Sequence, residues 1–223
     1  MRKLFLAITA SAISVSGFAG QAFDGPYVQL GIGGVASENK TTYQDDTADV
    51  LNLLGYGTNQ NSNSGSFVGR LDAGWSQAVD KFNLAGSIFY VIGNQNAGSN
   101  SFSKTITSGA DTATISGSQS FKLKNTWGLN VEPGYYVTDK TLGYLKFSWY
   151  NAELSTTPSL GLTYTIGGNS GAISGSQNVA KTVNGVGYGI GAKQLFTDNI
   201  YGFVEYQYVQ YSSVSDSQTG ASY

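Results

Sequence analysis

The chain contains no cysteine and no histidine. The first absence excludes a disulfide framework and any thiolate metal site, and the second removes the commonest general base and transition-metal ligand. Charge is also scarce, with Asp, Glu, Lys and Arg making up 12 % of 223 residues, about half the share of an average soluble domain. Proline occurs three times. The net charge of −2 supplies no basic excess for phosphate backbones, so nucleic acid is not an expected partner. No metal and no cofactor is expected. What the chain has instead is 30 Gly, 15 Tyr, 11 Phe and 3 Trp.

Met1-Arg2-Lys3 precedes an uncharged, apolar or small stretch from Leu4 to Ala19, followed by Gly20-Gln21-Ala22. This pattern predicts a secretory signal peptide over residues 1–22, cut after Ala22. Residues 23–223 then form the mature chain, with 14 acidic groups as before and the two leader cations gone. Beyond the leader no window approaches the ~18 to 20 apolar residues of a transmembrane helix, so a membrane passage must use strands.

Seven strands are predicted, near 26–35, 65–78, 82–93, 120–137, 141–152, 182–196 and 200–211. Three pairs meet across short turns, Val79-Asp80-Lys81, Thr138-Asp139-Lys140 and Thr197-Asp198-Asn199, each with an Asp suited to a hairpin. The other connections, 36–64, 94–119 and 153–181, are long and rich in Ser, Gly, Asn and Thr. Short turns alternating with long loops match outer-membrane barrels, whose turns face the periplasm.

Charge decides which face of each strand meets lipid. Phe67, Leu71, Ala73 and Trp75 oppose Arg70 and Asp72. The run Phe121, Leu123, Trp127, Leu129, Val131, Pro133, Tyr135 and Val137 opposes Lys122, Lys124, Asn130 and Glu132. Leu145, Phe147 and Trp149 oppose Lys146, and Val186, Tyr188 and Ile190 oppose a glycine row ending in Lys193. A cation at the lipid midplane costs about 2 to 4 kcal/mol, so the charged face must line the lumen. In the last strand Val204, Tyr206 and Tyr208 are set outward and Glu205 and Gln207 inward. The expected lumen network is therefore Arg70, Asp72, Lys122, Lys124, Glu132, Lys146, Lys193 and Glu205. Two aromatic girdles are expected, Trp75, Phe82, Tyr135 and Phe196 beside the short turns, and Phe67, Tyr90, Phe121, Trp149 and Tyr208 near the long loops. A water-soluble sandwich would share the alternation, but its solvent face would carry more Lys and Glu.

The stretches Glu132-Pro133-Gly134-Tyr135-Tyr136-Val137-Thr138-Asp139-Lys140-Thr141-Leu142-Gly143-Tyr144 and Gly187-Tyr188-Gly189 through Phe203-Val204-Glu205-Tyr206-Gln207-Tyr208 resemble the small OmpA-like, opacity-type outer-membrane barrels, often called a porin family. The resemblance implies an all-β, transmembrane, antiparallel up-and-down barrel of nominally eight strands in the bacterial outer membrane. It also implies an inward Glu in the seventh strand, matched by Glu205, within an ionic network. Glu132 stands where some members have Lys, so their particular ion-pair switch does not carry over. Members end in a strand with a terminal aromatic, whereas Ser212 to Tyr223 has the composition of a loop; a fragment lacking its last strand is the expectation.

Gly31-Ile32-Gly33-Gly34-Val35-Ala36 and Gly187-Tyr188-Gly189-Ile190-Gly191-Ala192 fit a dinucleotide fingerprint only formally, since neither opens a helix. The alternating glycines are expected to leave lumen space for Phe89, Tyr136 and Tyr144. Asp45, Asp46 and Asp49 read as a solvated loop. Ile115-Ser116-Gly117-Ser118-Gln119 echoes Ile173-Ser174-Gly175-Ser176-Gln177, hinting at β-hairpins above the membrane. Without His, no hydrolytic or acyl-transfer site is expected, and the chain is read as a non-enzyme. The expected role is structural, anchoring the envelope and displaying loops; the alternative is a narrow porin-like channel, favouring anions through its five inward cations against three anions. Expected partners are outer-membrane lipid and lipopolysaccharide, the barrel-assembly machinery, and an extracellular ligand of the loops.

Overall fold

Alternating side chains with a bulky residue at every second place favour extended backbone, and the described residues take it almost throughout. The computed structural model describes residues 4–16, 23–42 and 59–213. Ten strands occupy them: β1 (Leu4–Ser16), β2 (Gly25–Thr42), β3 (Asn59–Val79), β4 (Phe82–Ile92), β5 (Gln95–Ser108), β6 (Asp111–Thr138), β7 (Thr141–Ile166), β8 (Asn169–Ser176), β9 (Val179–Thr197) and β10 (Ile200–Tyr211). No helix occurs among the described residues.

Eight strands close into an antiparallel ring in the order β6, β4, β3, β2, β1, β10, β9, β7, with β7 pairing back to β6. The fold is an all-β, up-and-down barrel. Closure satisfies every wall strand on both sides, which a membrane demands because hydrocarbon offers the backbone no hydrogen bonds. The three tight turns lie where expected, at Asp80-Lys81, Asp139-Lys140 and Asp198-Asn199.

Leu4–Ser16, the core of the expected leader, holds the eighth place, pairing with β10 from Leu4↔Tyr211 to Val15↔Ile200 and with β2 on its other side. An uncharged run of this length is compatible with a strand in hydrocarbon as well as with a leader. In a chain processed after Ala22 the facing edges of β2 and β10 would be open to another strand. The predicted cut, the acidic triplet Asp45, Asp46 and Asp49, and Tyr223 lie outside the described residues.

The loop expected over 36–64 is strand at both ends, to Thr42 and from Asn59, and the other two tracts expected as loops are strands. The upper parts of β6 and β7 continue beyond the barrel, with β5 and β8 added on their flanks, so that β5, β6, β7 and β8 form one four-stranded sheet. The repeated Ile-Ser-Gly-Ser-Gln segments fall in β6 and at β8, within these two hairpins. At 28 residues β6 spans roughly 90 Å, whereas a membrane-crossing strand needs about 9 to 11 residues.

One expected register is corrected. Between Lys124↔Glu153 and Trp127↔Asn151, β6 advances one residue more than β7, a β-bulge with Asn125 in the left-handed region at φ 48°. Side chains therefore change sides there. Below the bulge Thr126, Asn130 and Glu132 point inward and Trp127, Leu129 and Val131 outward. Above it Phe121 and Leu123 are buried inside while Lys122 is exposed outside. Phe121 is not a girdle residue, and Lys122 and Lys124 do not line the lumen.

Candidate functional site: a filled lumen and an outer sheet

The lumen is organised in layers. Toward the extracellular end, Val35, Val68, Phe89, Val91, Ala97, Phe121, Leu123, Tyr150, Ala152, Val183, Val209 and Tyr211 form one apolar cluster. Toward the periplasmic end, Phe23, Leu142, Tyr201 and Phe203 form a second, with Tyr136 and Leu195 packed against it. Phe23 meets Tyr201 edge-on with ring centroids 5.3 Å apart, and its backbone oxygen accepts from the Asn83 side chain.

Between these clusters lies a paired polar centre. The upper part surrounds Arg70, whose Nε and Nη2 donate to the two Asp72 oxygens at 2.9 and 3.0 Å. Nη2 also donates to Asn130 and Nη1 to Gln207, while the guanidinium carbon sits 3.9 Å from the Phe89 ring centroid. Asn130 in turn donates to Asp72 and Ser87, and Gln207 donates to Ser148. The lower part is an alternating line, Glu205, Lys146, Glu132, Lys193. Lys146 Nζ lies 2.7 Å from Glu205 Oε2 and 3.1 Å from Glu132 Oε1; Lys193 Nζ lies 2.7 Å from Glu132 Oε2. Tyr144 donates to Glu205, and the Lys193 ammonium stands within 6 Å of the Tyr27, Tyr144 and Tyr201 rings.

Six of the eight residues expected in the lumen network are thus brought together by β3, β6, β7, β9 and β10, and Lys122 and Lys124 are left outside. With those two removed the inward set is three cations and three anions, so the expected anion preference loses its basis. Asn130, Ser148, Tyr150 and Gln207 complete the network. Alternation placed Asn130 and Gln207 inward, but neutral side chains carry no signal of which charge they will serve. Phe23 had no sequence signal as a plug.

Glycine makes this filling possible. The Tyr144 ring occupies the space a Cβ at Gly191 would need, the Tyr150 ring approaches Gly187, and the Phe89 ring covers Gly128. Gly187 and Gly191 of the alternating row, with Gly185 under the Tyr211 ring, are therefore seats for lumen aromatics, while Gly189 lies against the backbone of Tyr206 and Gln207. Chemically, each buried carboxylate is committed to a cation, and no group of three or more potential metal ligands occurs among the described residues.

The outer wall shows the reverse surface. Leu30, Ile32, Leu71, Ile88, Leu129, Val131, Leu145, Phe147, Ile190 and Val204 are all exposed around the ring, with no charge among them. Trp75, Phe82, Tyr135 and Phe196 are exposed at the turn end, and Phe82 and Tyr135 pair edge-on. At the other end stand Phe67, Tyr90, Trp149 and Tyr208, with Trp127 edge-on to Trp149 at 5.4 Å and Tyr188 beside Tyr208 at 5.1 Å. Apolar area this continuous, bounded by aromatics on both rims, belongs in hydrocarbon. The chain is a bacterial outer-membrane β-barrel.

No family model matches the chain, and no curated protein does. Among solved structures it is similar to the CymD monoaromatic hydrocarbon channel, at 10% identity and a TM-score of 0.28, covering 96% of this chain and 89% of that one. It is also similar to a TodX monoaromatic hydrocarbon channel deltaS2S3 mutant, at 9% identity and a TM-score of 0.14, over 95% and 89% of the two chains. At such scores the architecture stands on the strand pairing described above.

The four-stranded outer sheet has two unlike faces. The one continuous with the outer wall is hydroxylated: Ser101, Ser118, Ser159 and Ser176 form one row across the strands, and Thr107, Thr112, Thr165 and Ser170 another. Ser118 and Ser159 are hydrogen bonded at 2.7 Å, as are Thr105 and Thr114 at 2.8 Å. The face continuous with the lumen carries Phe102, Ile106, Ile115, Leu160, Leu162 and Ile173, of which Ile106, Leu160 and Ile173 are well exposed.

Proposed function

We propose that this is a non-conducting, non-enzymatic barrel of the small OmpA-like kind, which anchors the outer membrane and presents the β5–β8 sheet as an interaction surface. The observation that carries this is the charge-balanced centre, closed above and below by apolar clusters, with Lys146, Tyr150 and Gln207 wholly inaccessible. Eight strands give an interior just wide enough for side chains to fill, and here they fill it. The inward Glu205 and the eight-stranded ring support the OmpA-like assignment. Outer-leaflet lipid and lipopolysaccharide are the surroundings of the wall, the assembly machinery its inserter, and the sheet faces an extracellular ligand. Reconstitution in planar bilayers tests the proposal: the expected trace stays at baseline, and reproducible single-channel steps would overturn it.

A second reading, a narrow route for small apolar solutes, is favoured by one feature. Below Lys104, which shares this face opposite Ile115, the inner side of the outer sheet leads from Leu160 to Leu154, Leu123 and Phe121 in the upper cluster. Uptake of a fluorescent aromatic into proteoliposomes, with ionic conductance absent, would favour this reading over the first.

A further inference from the structure

We infer that Lys122 and Lys124 form a phosphate-binding site for a glycolipid headgroup of the outer leaflet, built on the outer wall by the Asn125 bulge. The inference rests on the outer-membrane assignment and goes beyond it by naming the group recognised. The lipid assignment follows from position. Trp127 and Trp149 mark the upper rim of the apolar belt, and the outer-wall residues directly above them are Lys124, then Lys122. Along the strand these lie roughly 7 and 13 Å beyond the indoles, in and just past the headgroup layer, which is about 5 to 7 Å deep on each side.

The surroundings suit an anion. Lys122 is exposed, and neither lysine has an ion-pair partner among the described residues. Glu153 on β7 is the one carboxylate facing them from the adjoining strands, opposite Lys124, and it accepts a hydrogen bond from the Asn125 side chain at 3.2 Å. Asn96 on β5 and Ser155 on β7 stand opposite Lys122, and Ser155 donates to Asn178. Two ammonium groups on one face, two residues apart, can both reach a single phosphoryl group through their flexible stems. The bulge is what turns them outward: a regular ladder would put both into the apolar upper cluster, and Phe121 and Leu123 into lipid.

The test uses the full chain refolded into phosphatidylcholine vesicles containing dansyl-labelled lipid A, either bisphosphorylated or dephosphorylated, with energy transfer from tryptophan as the readout. Each juxtamembrane lysine contributes a factor of about five at a charged membrane surface, so Lys122→Gln/Lys124→Gln is expected to weaken binding of the bisphosphorylated lipid about 30-fold. Lys104→Gln, on the inner face of β5, is expected to leave binding unchanged. Equal binding of the two lipids, or an unaffected double variant, would overturn the site. Displacement of the lipid by millimolar inorganic phosphate would overturn its assignment to lipid. Quenching of tryptophan by brominated acyl chains in plain phosphatidylcholine vesicles reports the membrane assignment separately, so a failure there is distinguishable.

Discussion

Lys146 Nζ lies 2.7 Å from Glu205 Oε2 with the Lys146 side chain wholly inaccessible, tying β7 to β10 over the intervening β9. The same ammonium reaches Glu132 at 3.1 Å, so one cation holds apart two carboxylates that would otherwise face one another. Removing one partner of a buried pair leaves an uncompensated charge, typically a loss of about 3 to 5 kcal/mol, whereas replacing the set with apolar groups can be neutral. Lys146→Met is therefore expected to lower the urea midpoint of the refolded barrel, read by tryptophan fluorescence. Adding Glu205→Gln should recover part of the loss; a double variant weaker than the sum of its singles would contradict the pairing.

The bulge can be tested by labelling single-cysteine variants of this cysteine-free chain. Lys122→Cys should react readily with a membrane-impermeant maleimide on whole cells, and Phe121→Cys should stay protected. Deletion of Asn125 restores a regular ladder and is expected to exchange the two reactivities or to abolish folding, seen as loss of the heat-modifiable gel band. Reactivity unchanged by the deletion would contradict the described register.

A side chain at Gly191 would collide with the Tyr144 ring. Gly191→Val should destabilise the barrel by about 1 to 3 kcal/mol, the usual range for overpacking. Combining it with Tyr144→Ala should cost less than the two changes added, because the first clash is gone. Strict additivity in denaturant titrations would place Tyr144 elsewhere.

If the apolar clusters seal the lumen, thinning them should open it. Phe121→Ala/Leu123→Ala removes two large, fully buried side chains of the upper cluster, and Phe23→Ala opens the lower one. The triple variant is expected to show weakly selective conductance in planar bilayers, because the remaining lumen charges balance. A silent triple variant would mean that the ionic centre alone blocks the path.

Much of the wall was legible because expensive groups fix its register. Arg70, Lys146 and Lys193 can face only one way in a membrane, and they carried β3, β7 and β9 with them. Glu205 alone left β10 open to either assignment, because Phe203 shares its face, and the structure buries both inside. The Asn125 bulge was not legible: one extra residue in Lys124-Asn125-Thr126-Trp127 leaves the composition of both faces plausible, so Phe121, Lys122, Leu123 and Lys124 were all assigned to the wrong side. β5 and β8 were hidden for a different reason. Their Ser, Gly and Thr residues have weak apolar alternation, and what makes them strands is pairing with the extended ends of β6 and β7. The eighth place in the ring was anticipated as a missing strand, while its occupation by Leu4–Ser16 has no separate mark, since leader and lipid-facing strand call for similarly uncharged residues.

The passage of β6 and β7, each as a single strand, from the periplasmic turn to the outer hairpins has a mechanical consequence. Their ladder runs from Thr138↔Thr141 up to Thr112↔Thr165, shifting register at Asn125 and near Val137 but with no loop between wall and sheet. A tug on the hairpin tips would load many backbone hydrogen bonds together in shear, sharing the strain along the ribbon, so a surface that is gripped from outside passes its tension straight into the envelope.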